Sequence, residues 1–387
     1  MIPWRAAKAA RLFQQEETME RSKVYFTDLH TSLDDGLLVK FKRLILAAGI
    51  GTLDFANQFT AVKIHFGEPG NLAFLRPNWS KVVCDLIKEK GGKPFLTDCN
   101  TLYVGGRKNA LDHLDSAYAN GYTPFSTGCQ LIIGDGLKGL CETLVPVAGG
   151  EYVKEAKIGS AIMDADVIIS LTHFKGHELT GFGGAIKNIG MGCGSQSGKM
   201  EMHNQGTPRV KTEKCIGCGL CVRNCAHEGV LVVDGIAVIQ EDHCVGCGRC
   251  IGVCPTGAMA SKWDESNDIL NRKMAEYAWA VLKDRPAFHI SLVIDVSPNC
   301  DCGAENDIPI VPDVGMFASF DPIALDQACA DAVNAQEAVP GSHLHHAHHH
   351  HGDHFSAMHP DTNWETCLEH GEKLGMGQRA YELITVK

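Results

Sequence analysis

The chain has 387 residues, 44% of them hydrophobic, and a formal net charge of −11 at pH 7. This length predicts two or three structural units. The acidic balance disfavours nucleic-acid binding, because phosphate backbones repel a negative surface. No run of about 18 apolar residues occurs, so we expect no transmembrane helix and no membrane partner.

The first segment, residues 1–18, lacks an apolar run long enough for a signal peptide. Met19 is an equally good initiator, because the first strand-like run begins just after it. We therefore predict that residues 1–18 form a disordered extension. Without a signal peptide, the 17 cysteines are better explained by a reducing cytoplasm than by disulfides, which predicts a cytoplasmic protein.

Strand-like and helix-like runs alternate over the first 200 residues, which predicts parallel βαβ units and an α/β fold. In such sheets ligands bind at the carboxyl ends of the strands, so the loops that follow the strands are the first candidates for a site. The predicted strands cover Lys23–Thr27, Ala61–Phe66, Pro94–Asp98, Gln130–Gly134 and Val167–Thr172, and the predicted helices cover Asp35–Ala48, Asn78–Lys90 and Lys108–Ala119.

Two of these loops carry polar side chains. In the first we expect Asp98, Asn100 and Arg107 to contact a cofactor. A later strand is followed by His173-Phe-Lys-Gly-His177, where alternate residues of an extended chain share a face. This pattern predicts catalytic roles for His173, Lys175 and His177, and the alternative is a polar surface loop.

The segment Gly181-Phe-Gly-Gly184 then precedes a helix-like run, and a glycine-rich loop that enters a helix N-terminus can bind an anion. The residues predicted to bind a cofactor there are Gly181, Gly183, Gly184, Lys187 and Asn188, and Lys187 is also a catalytic candidate. The nearby run Cys193–Met200 is similar to a P-loop but lacks its first glycine and the hydroxyl after Lys199, so ATP hydrolysis by that motif is not expected.

Eight cysteines form two C-x2-C-x2-C-x3-C motifs, the spacing of bacterial two-cluster ferredoxins. In that arrangement the fourth cysteine of each motif ligates the other cluster. Zinc ribbons instead use two Cys-x2-Cys pairs per site, which disfavours the zinc alternative. The sequence therefore predicts two [4Fe–4S] clusters, one held by Cys215, Cys218, Cys221 and Cys254, and the other by Cys244, Cys247, Cys250 and Cys225.

After this segment the α/β pattern resumes. Predicted elements are a helix at Ser266–Leu282, a strand at His289–Val296, a helix at Pro322–Asn334, and short helices near Trp364–Leu374 and Gln378–Ile384. The predicted fold is thus α/β, with a mostly parallel sheet and an inserted two-cluster ferredoxin segment. Its units are an N-terminal α/β domain (19–207), a ferredoxin-like domain (208–262) and a C-terminal α/β part (263–387).

Two further patterns can bind metal. Cys300-Asp-Cys302 can supply two thiolates, although a structural role is favoured. Residues 343–354 contain eight histidines in twelve positions, a composition suited to nickel, zinc or copper. For this loop we favour buffering or storage of a divalent metal over catalysis, and the alternative is a surface loop with adventitious affinity.

Several of these motifs resemble the domain-of-unknown-function 362 family of Fe–S centre proteins. They include the loop Asp98–Arg107, the run His173–His177, the glycine-rich run Gly181–Cys193, Cys300-Asp-Cys302 and Asp321-Pro-Ile-Ala-Leu-Asp326. The resemblance spans nearly the whole chain from Met19 and implies iron–sulfur clusters. It implies no settled activity.

A more distant likeness is to the nickel-pincer lactate racemase family. His177, Lys187 and His203 are spaced ten and sixteen residues apart, as in the core of that family. The likeness implies that Lys187 carries a pyridinium pincer nucleotide, that His203 ligates nickel and that His177 acts as acid or base. A second catalytic histidine has no clear counterpart here, and that family has no ferredoxin segment.

Three functions remain open at this stage. The favoured one is a redox enzyme, an iron–sulfur oxidoreductase of an oxygen-poor host, whose clusters pass electrons to a substrate or second cofactor in a pocket lined by histidine and lysine. The second is an electron-transfer or scaffold protein without its own chemistry, which works with a redox partner protein. The third is a nickel-pincer-dependent racemase-like enzyme or a metal-delivery protein.

Overall fold

The computed structural model describes residues 21–103, 105–204, 207–347 and 352–387. The predicted extension over residues 1–18 and part of the histidine-rich loop (348–351) lie outside the described residues. Among the described residues, no helix combines the length and the apolar content needed to span a membrane.

One large sheet organises the chain, with the strand order β16-β1-β15-β14-β7-β2-β3-β4. All its neighbouring pairs are parallel except those that β15 makes with β1 and β14. The predicted α/β fold with a mostly parallel sheet is therefore confirmed. The strands of this sheet are β1 (Ser22–Thr27), β2 (Phe59–Lys63), β3 (Lys93–Asp98), β4 (Gln130–Ile133), β7 (Val167–His173), β14 (Ala287–Val293), β15 (Gly315–Ser319) and β16 (Tyr381–Thr385).

The remaining strands form four two-stranded ladders. They pair β5 (Glu142–Pro146) with β6 (Glu155–Gly159), β8 (Lys175–His177) with β9 (Gly181–Gly183), β10 (Arg209–Val210) with β13 (Met259–Ala260), and β11 (Val230–Val233) with β12 (Ile236–Ile239).

Helices cover both faces of the sheet, and this explains why all seven residues of β7 are buried. One face packs on the helices Ala185–Cys193, Asn267–Leu282 and Pro322–Asn334, and the other on Leu37–Ala47 and Pro77–Glu89. The other helices are Ala110–Ala119, Pro124–Thr127, Ser160–Met163, Gln196–His203, Leu220–Arg223, Arg249–Gly252, His343–His346, His354–Met358 and Glu365–Lys373, with 3-10 turns at Ile50–Thr52 and Thr212–Lys214.

Strands from both sides of residues 208–262 meet in the large sheet, where β7 pairs in parallel with β14. The two α/β parts therefore share one sheet, and residues 208–262 leave and rejoin it. The boundaries predicted near residues 207 and 262 stay a prediction.

The predicted helix at Gln378–Ile384 is wrong. Residues Tyr381–Thr385 form β16, which pairs in parallel with β1 so that Val24 lies opposite Leu383. The short run carries β-branched residues, which suit a strand. The edge strand β1 supplies backbone hydrogen-bond partners to this run. A short helix would instead leave the N–H and C=O groups at its two ends unpaired.

The large sheet also explains where the site lies. Strands β2, β3 and β7 are parallel neighbours, so their carboxyl ends share one edge. Lys63, Asp98 and His173 are the last residues of these three strands. The loops that follow must therefore converge, as the alternating pattern predicts.

A substitution at Gly190 tests how closely the helix Ala185–Cys193 packs on the helix Asn267–Leu282. A Cβ atom at Gly190 would lie 2.2 Å from the backbone oxygen of Met274, so we expect Gly190→Ala to destabilise the protein by about 1–3 kcal/mol. Gly36→Ala is the control, because a Cβ there meets nothing within 4 Å. Denaturant unfolding of both variants measures the difference, and equal stabilities would contradict this packing.

Candidate functional site

A cavity of about 470 Å³ opens at this edge of the sheet, a volume typical of small-molecule sites. Five of its lining side chains are cationic and two are carboxylates. The charged lining residues are Lys63, Arg107, Lys175, Lys187, Lys199, Asp98 and Glu178.

Apart from the cysteines of the two motifs, most of the predicted site residues meet in this cavity. The nine that line it are Asp98, Arg107, Lys175, His177, Gly183, Gly184, Lys187, Asn188 and His203. Three do not line it, namely Asn100, His173 and Gly181. Asn100 is fully buried, and its side-chain amide donates to the carboxylate of Asp135 at 2.8 Å and to the carbonyl of Gly136 at 2.9 Å.

His173 is placed as a support and not as a reacting group. Its Nδ1 lies 2.8 Å from a carboxylate oxygen of Asp301, and its Nε2 lies 2.8 Å from the carbonyl oxygen of Ile294. Both ring nitrogens therefore face acceptors inside the protein. Lys175 also pairs with Asp301, at 3.1 Å, so this carboxylate ties β7 to the loop that carries Cys300 and Cys302.

A network of buried charges forms another wall of the cavity. Lys63 pairs with Asp98 at 3.0 Å, and the Arg107 Nε donates to Glu68 at 2.7 Å. Arg107 also contacts the Nε2 of His65 at 2.8 Å. Burial raises the pKa of Asp98, but Lys63 and the other nearby basic groups lower it more, and the net pKa is well below its usual value.

Asn188 joins the helix Ala185–Cys193 to the sheet. Its carbonyl oxygen accepts from the Lys63 ammonium at 2.8 Å, and its amide nitrogen lies 3.0 Å from the Thr172 hydroxyl and 3.2 Å from the carbonyls of Leu171 and Lys63. The side chain therefore sets where this helix, and Lys187 with it, stands above β2 and β7.

The N-terminus of the same helix holds a carboxylate of the protein instead of a ligand anion. Asp326 accepts from the backbone N–H groups of Ala185 at 2.6 Å and of Ile186 at 3.0 Å. A Cβ on Gly184 would lie 2.4 Å from this carboxylate. Asp326 already uses these two donors, and the predicted anion site at the glycine-rich loop stays a prediction.

Two thiols and an imidazole lie close to Lys187 in the cavity. Its ammonium nitrogen lies 3.5 Å from the sulfur of Cys300. One ligand atom each of His177, Cys300 and Cys302 lie within 4.8 Å of one another. Cys300 is 1% exposed, while Cys302 is partly exposed and lines the cavity.

The electrostatics of this cluster favour a thiolate at Cys300. The hydrogen bond with Cys302 lowers the pKa of Cys300 well below its usual value, and the neighbouring Lys187 and His177 lower it further. The same hydrogen bond raises the pKa of Cys302. Burial lowers the pKa of Lys187, but the two sulfurs outweigh burial and the net pKa is raised, so an ammonium faces a thiolate.

The hydrogen bonds of His177 fix its tautomer. Its Nδ1 accepts from the backbone N–H groups of Leu179 at 3.1 Å and Thr180 at 3.2 Å. In the neutral ring the hydrogen must therefore sit on Nε2, which leaves Nε2 for the side-chain hydrogen bond between His177 and Cys300. Burial lowers the pKa of His177, so this neutral donor form is present near pH 7.

His203 borders the cavity at the end of the helix Gln196–His203, with its ring 4.4 Å from that of Trp263. Burial lowers its pKa to about 3, and His177 and Lys187 act in the same direction. A neutral imidazole is the form that ligates a metal. Trp263 follows residues 208–262 directly.

Within residues 208–262, the two cysteine motifs have matching local structures. Gly217 and Gly246 have φ of 63° and 67°, and Gly219 and Gly248 have φ of 71° and 70°. Each glycine pair precedes a four-residue helix, either Leu220–Arg223 or Arg249–Gly252. Positive φ is available to glycine without steric cost, so both motifs adopt the same tight loop.

The sulfur atoms of these motifs receive backbone hydrogen bonds. Gly229 donates to the sulfur of Cys225 at 3.2 Å, Ala237 to Cys215 at 3.3 Å and Met259 to Cys254 at 3.4 Å. Such donors stabilise the thiolates that ligate clusters. Cys215, Cys218, Cys221 and Cys254 also line one small cavity together.

Four thiolates around one zinc ion lie about 3.8 Å apart, given Zn–S bonds of about 2.3 Å. In the described part of the chain, the one compact group of three metal-ligating atoms is that of His177, Cys300 and Cys302.

Residues 208–262 pack directly on the wall of the large cavity. Leu102 lines that cavity and also belongs to the apolar cluster that contains Met200, Cys221 and Cys250. A Cβ on Gly248 would lie 3.4 Å from side-chain atoms of both Leu102 and Met200. One layer of side chains therefore separates the second cysteine motif from the cavity.

Sequence reasoning missed part of this site. Lys63 and His65 line the cavity, as does Tyr103 of the Asp98–Arg107 loop, but none of the three was predicted as a site residue. Cys300 and Cys302 were noted, but their contact with Lys187 follows from the fold alone. Position near the carboxyl end of a strand was the one available signal for Lys63 and His65.

Asp326 makes stability depend on pH. Burial raises its pKa to about 7, against the opposing effect of the two N–H donors. Unfolded aspartate titrates near pH 4, so this stabilising effect is complete below about pH 4 and is lost as pH rises through about 7. We expect wild-type stability relative to Asp326→Asn to fall by about 2–4 kcal/mol between pH 4 and pH 8.

Denaturant unfolding at several pH values measures this change. Asp321→Asn is the matched control, because Asp321 caps the helix Pro322–Asn334 through Ile323 and Ala324 in the same way. Parallel pH profiles for wild type and Asp326→Asn would contradict the assignment.

Comparisons with known proteins give the family but no activity. A protein named "Thylakoid-associated protein sll1697" from Synechocystis is 28% identical over 177 residues, which cover 42% of this chain and 49% of that protein. The chain thus spans about half the length of this curated relative.

Two solved structures also align. The lactate racemase apoprotein from Thermoanaerobacterium thermosaccharolyticum has a TM-score of 0.39 and 13% identity, over 83% of this chain and 60% of that one. A Thermotoga maritima protein has a TM-score of 0.41 and 10% identity, over 76% and 57%. Such scores are too low to infer function. Residues 60–331 match the family described as Domain of unknown function (DUF362), and this chain belongs to that family.

Proposed function

We propose that this protein is an enzyme that acts on a small anionic substrate at a cofactor held by Lys187 and His203, with His177 as the polarising group. The observation that carries the proposal is that Lys187, His177 and His203 line one cavity. This is the arrangement that a nickel-pincer nucleotide requires, and the racemase-like alternative is thus better supported than an oxidoreductase that uses the clusters alone.

The residues present fit such a cofactor. Lys187 places an ammonium group inside the cavity, which would form the tether after losing its proton, and His203 offers a neutral imidazole for nickel. The cationic lining suits the phosphate of a nucleotide and a substrate carboxylate. When bound, the cofactor would supply an electron-accepting metal–pyridinium centre.

The chain itself would bind and polarise the substrate. Lys175 and Arg107 line the cavity but are paired with Asp301 and Glu68, so they supply oriented N–H donors with limited net charge. His177 lines the cavity with its hydrogen on Nε2, and a neutral imidazole in this form stabilises developing negative charge on a substrate oxygen. To act as a base, the ring would first have to free Nε2.

Peptide mass spectrometry tests the tether. Protein purified without oxygen from its own host should carry a covalent adduct on the Lys187 peptide. The Lys199 peptide is an internal control, because Lys199 also lines the cavity but donates to the carbonyl of Gly194 at 2.6 Å. An unmodified Lys187 would exclude the tethered cofactor.

A second function is favoured by the cysteine motifs and their contact with the cavity wall. We infer that residues 208–262 hold two [4Fe–4S] clusters that exchange electrons with the cavity. The N–H donors to sulfur and the packing on Leu102 support this inference. The cavity shared by Cys254 with the first motif supports the exchange of fourth ligands between motifs.

Iron analysis and electron paramagnetic resonance (EPR) test the clusters. Anaerobically reconstituted protein should bind about eight iron atoms per chain, and Cys247→Ala should lose roughly half of them together with one EPR signal. Cys141→Ala is the control, because Cys141 is an exposed free cysteine outside the motifs. Stoichiometric zinc in place of iron would contradict the prediction.

The two functions differ in what activity requires. A racemase-like enzyme should turn over independently of the cluster redox state, whereas a redox enzyme should depend on reduced clusters. If the protein is instead a carrier or scaffold for a redox partner protein, Lys187→Ala should leave electron transfer and the host phenotype unchanged.

We propose metal buffering for the histidine-rich loop, in which the Nε2 of His354 lies 2.8 Å from the carbonyl oxygen of Gln336.

A further inference from the structure

Cys300 and Cys302 have no task in the function proposed above. Both lie beside Lys187, and their sulfurs are within 4.8 Å of each other. Cys300 is buried, while Cys302 borders the cavity. A pair of thiols this close, with one sulfur accessible from a ligand cavity, suits either a soft metal ion or reversible disulfide chemistry.

The hydrogen bonds of His177 decide against a three-ligand metal site. A neutral His177 that ligated a metal through Nε2 would carry its hydrogen on Nδ1. That hydrogen would then point at the N–H groups of Leu179 and Thr180, which are already 3.1 and 3.2 Å from Nδ1. Metal-ligating histidines instead direct the second nitrogen at an acceptor.

The surroundings of Cys300 match those of a leaving thiolate. The Lys187 ammonium lies 3.5 Å from its sulfur, and the backbone N–H of Cys302 donates to the same sulfur at 3.4 Å. Positive charge and donors beside one sulfur make that thiol the better leaving group in disulfide exchange. Cys302 has no such cation at hydrogen-bond distance among the described residues.

The cavity wall connects this pair to the cysteine motifs. Cys302, Tyr103 and Leu102 all line the cavity. Leu102 in turn packs in the apolar cluster with Cys250 of the second motif. The thiol pair and the second motif thus face the same short stretch of chain from opposite sides.

We propose that Cys300 and Cys302 form a redox-active dithiol that exchanges two electrons with the two [4Fe–4S] clusters. Reduction breaks the Cys300–Cys302 S–S bond: each reduced cluster gives one electron, Cys300 leaves as a thiolate, and the sulfur of Cys302 takes one proton. Oxidation is the reverse. The pair thereby converts two one-electron carriers into one two-electron group at the cavity.

This inference rests on the proposed clusters but not on a cofactor at Lys187. It is tested by anaerobic reductive titration of the full-length holoprotein, with cluster EPR followed in the same samples. Oxidised wild type should take up about four electrons per chain, two in the clusters and two in the disulfide. Cys302→Ser should take up about two, and the control Cys141→Ser about four.

Thiol mapping gives a readout that needs no variant. Denaturing alkylation of oxidised wild type should leave Cys300 and Cys302 unlabelled, and full reduction should label both. Uptake of about two electrons with full cluster EPR, and with both thiols labelled after oxidation, would overturn the dithiol and leave the clusters standing. Uptake of about two electrons without an EPR signal would overturn the clusters and with them the exchange. One zinc or nickel per chain bound through Cys300 and Cys302 would overturn the dithiol in favour of a metal site.

Discussion

The site depends on one buried contact, that of the Asp326 carboxylate with the first turn of the helix Ala185–Cys193. Two backbone N–H groups at the start of the helix donate to this carboxylate. The carboxylate lies so close to the backbone that only a glycine fits at position 184. The other anchor is Asn188, one turn along, which bonds to Lys63 and to β7. Lys187 lies between these anchors, so its position is set by packing and not by its own side chain.

Charge compensation then distinguishes Lys187 from three of the other cations in the cavity. Lys63 is paired with Asp98, Arg107 with Glu68, and Lys175 with Asp301. A buried cation without a partner is costly, and these three have carboxylates. Lys187 instead faces a sulfur whose charge changes with redox state or ligation, so chemistry at Cys300 alters the environment of Lys187. The proposed tether and the proposed dithiol therefore affect each other, because both involve the ammonium group of Lys187.

Much of this arrangement follows from local sequence patterns. The strand–helix alternation predicts the mostly parallel sheet, and position after a strand predicts that Asp98, Lys175 and His177 share a cavity. Contacts between distant segments have no local signal. Asp326 reaches the helix of Lys187 across 141 and 140 residues, and a glycine-rich helix start looks the same whether a ligand or a carboxylate covers it. The strand β16 was mistaken for a helix because its partner, β1, lies at the other end of the chain.

The place where residues 208–262 leave the α/β body matters for function. The helix that ends at His203 leads into this segment, and the chain returns at Trp263, whose ring packs on His203. Lys108 adds a second tie, donating to the carbonyl of Cys254 at 2.8 Å, next to the loop of Asp98 and Arg107. The segment is thus held beside the cavity where it leaves and rejoins the α/β body, and again near its end at Cys254. A change in geometry around the cysteines would reach His203 and the 98–107 loop through these contacts, so clusters that served only as structural supports would still shape the cavity. Electron uptake and thiol labelling distinguish structural clusters from clusters that exchange electrons with the thiol pair. A purely structural cluster would change neither the electron uptake by Cys300 and Cys302 nor their labelling.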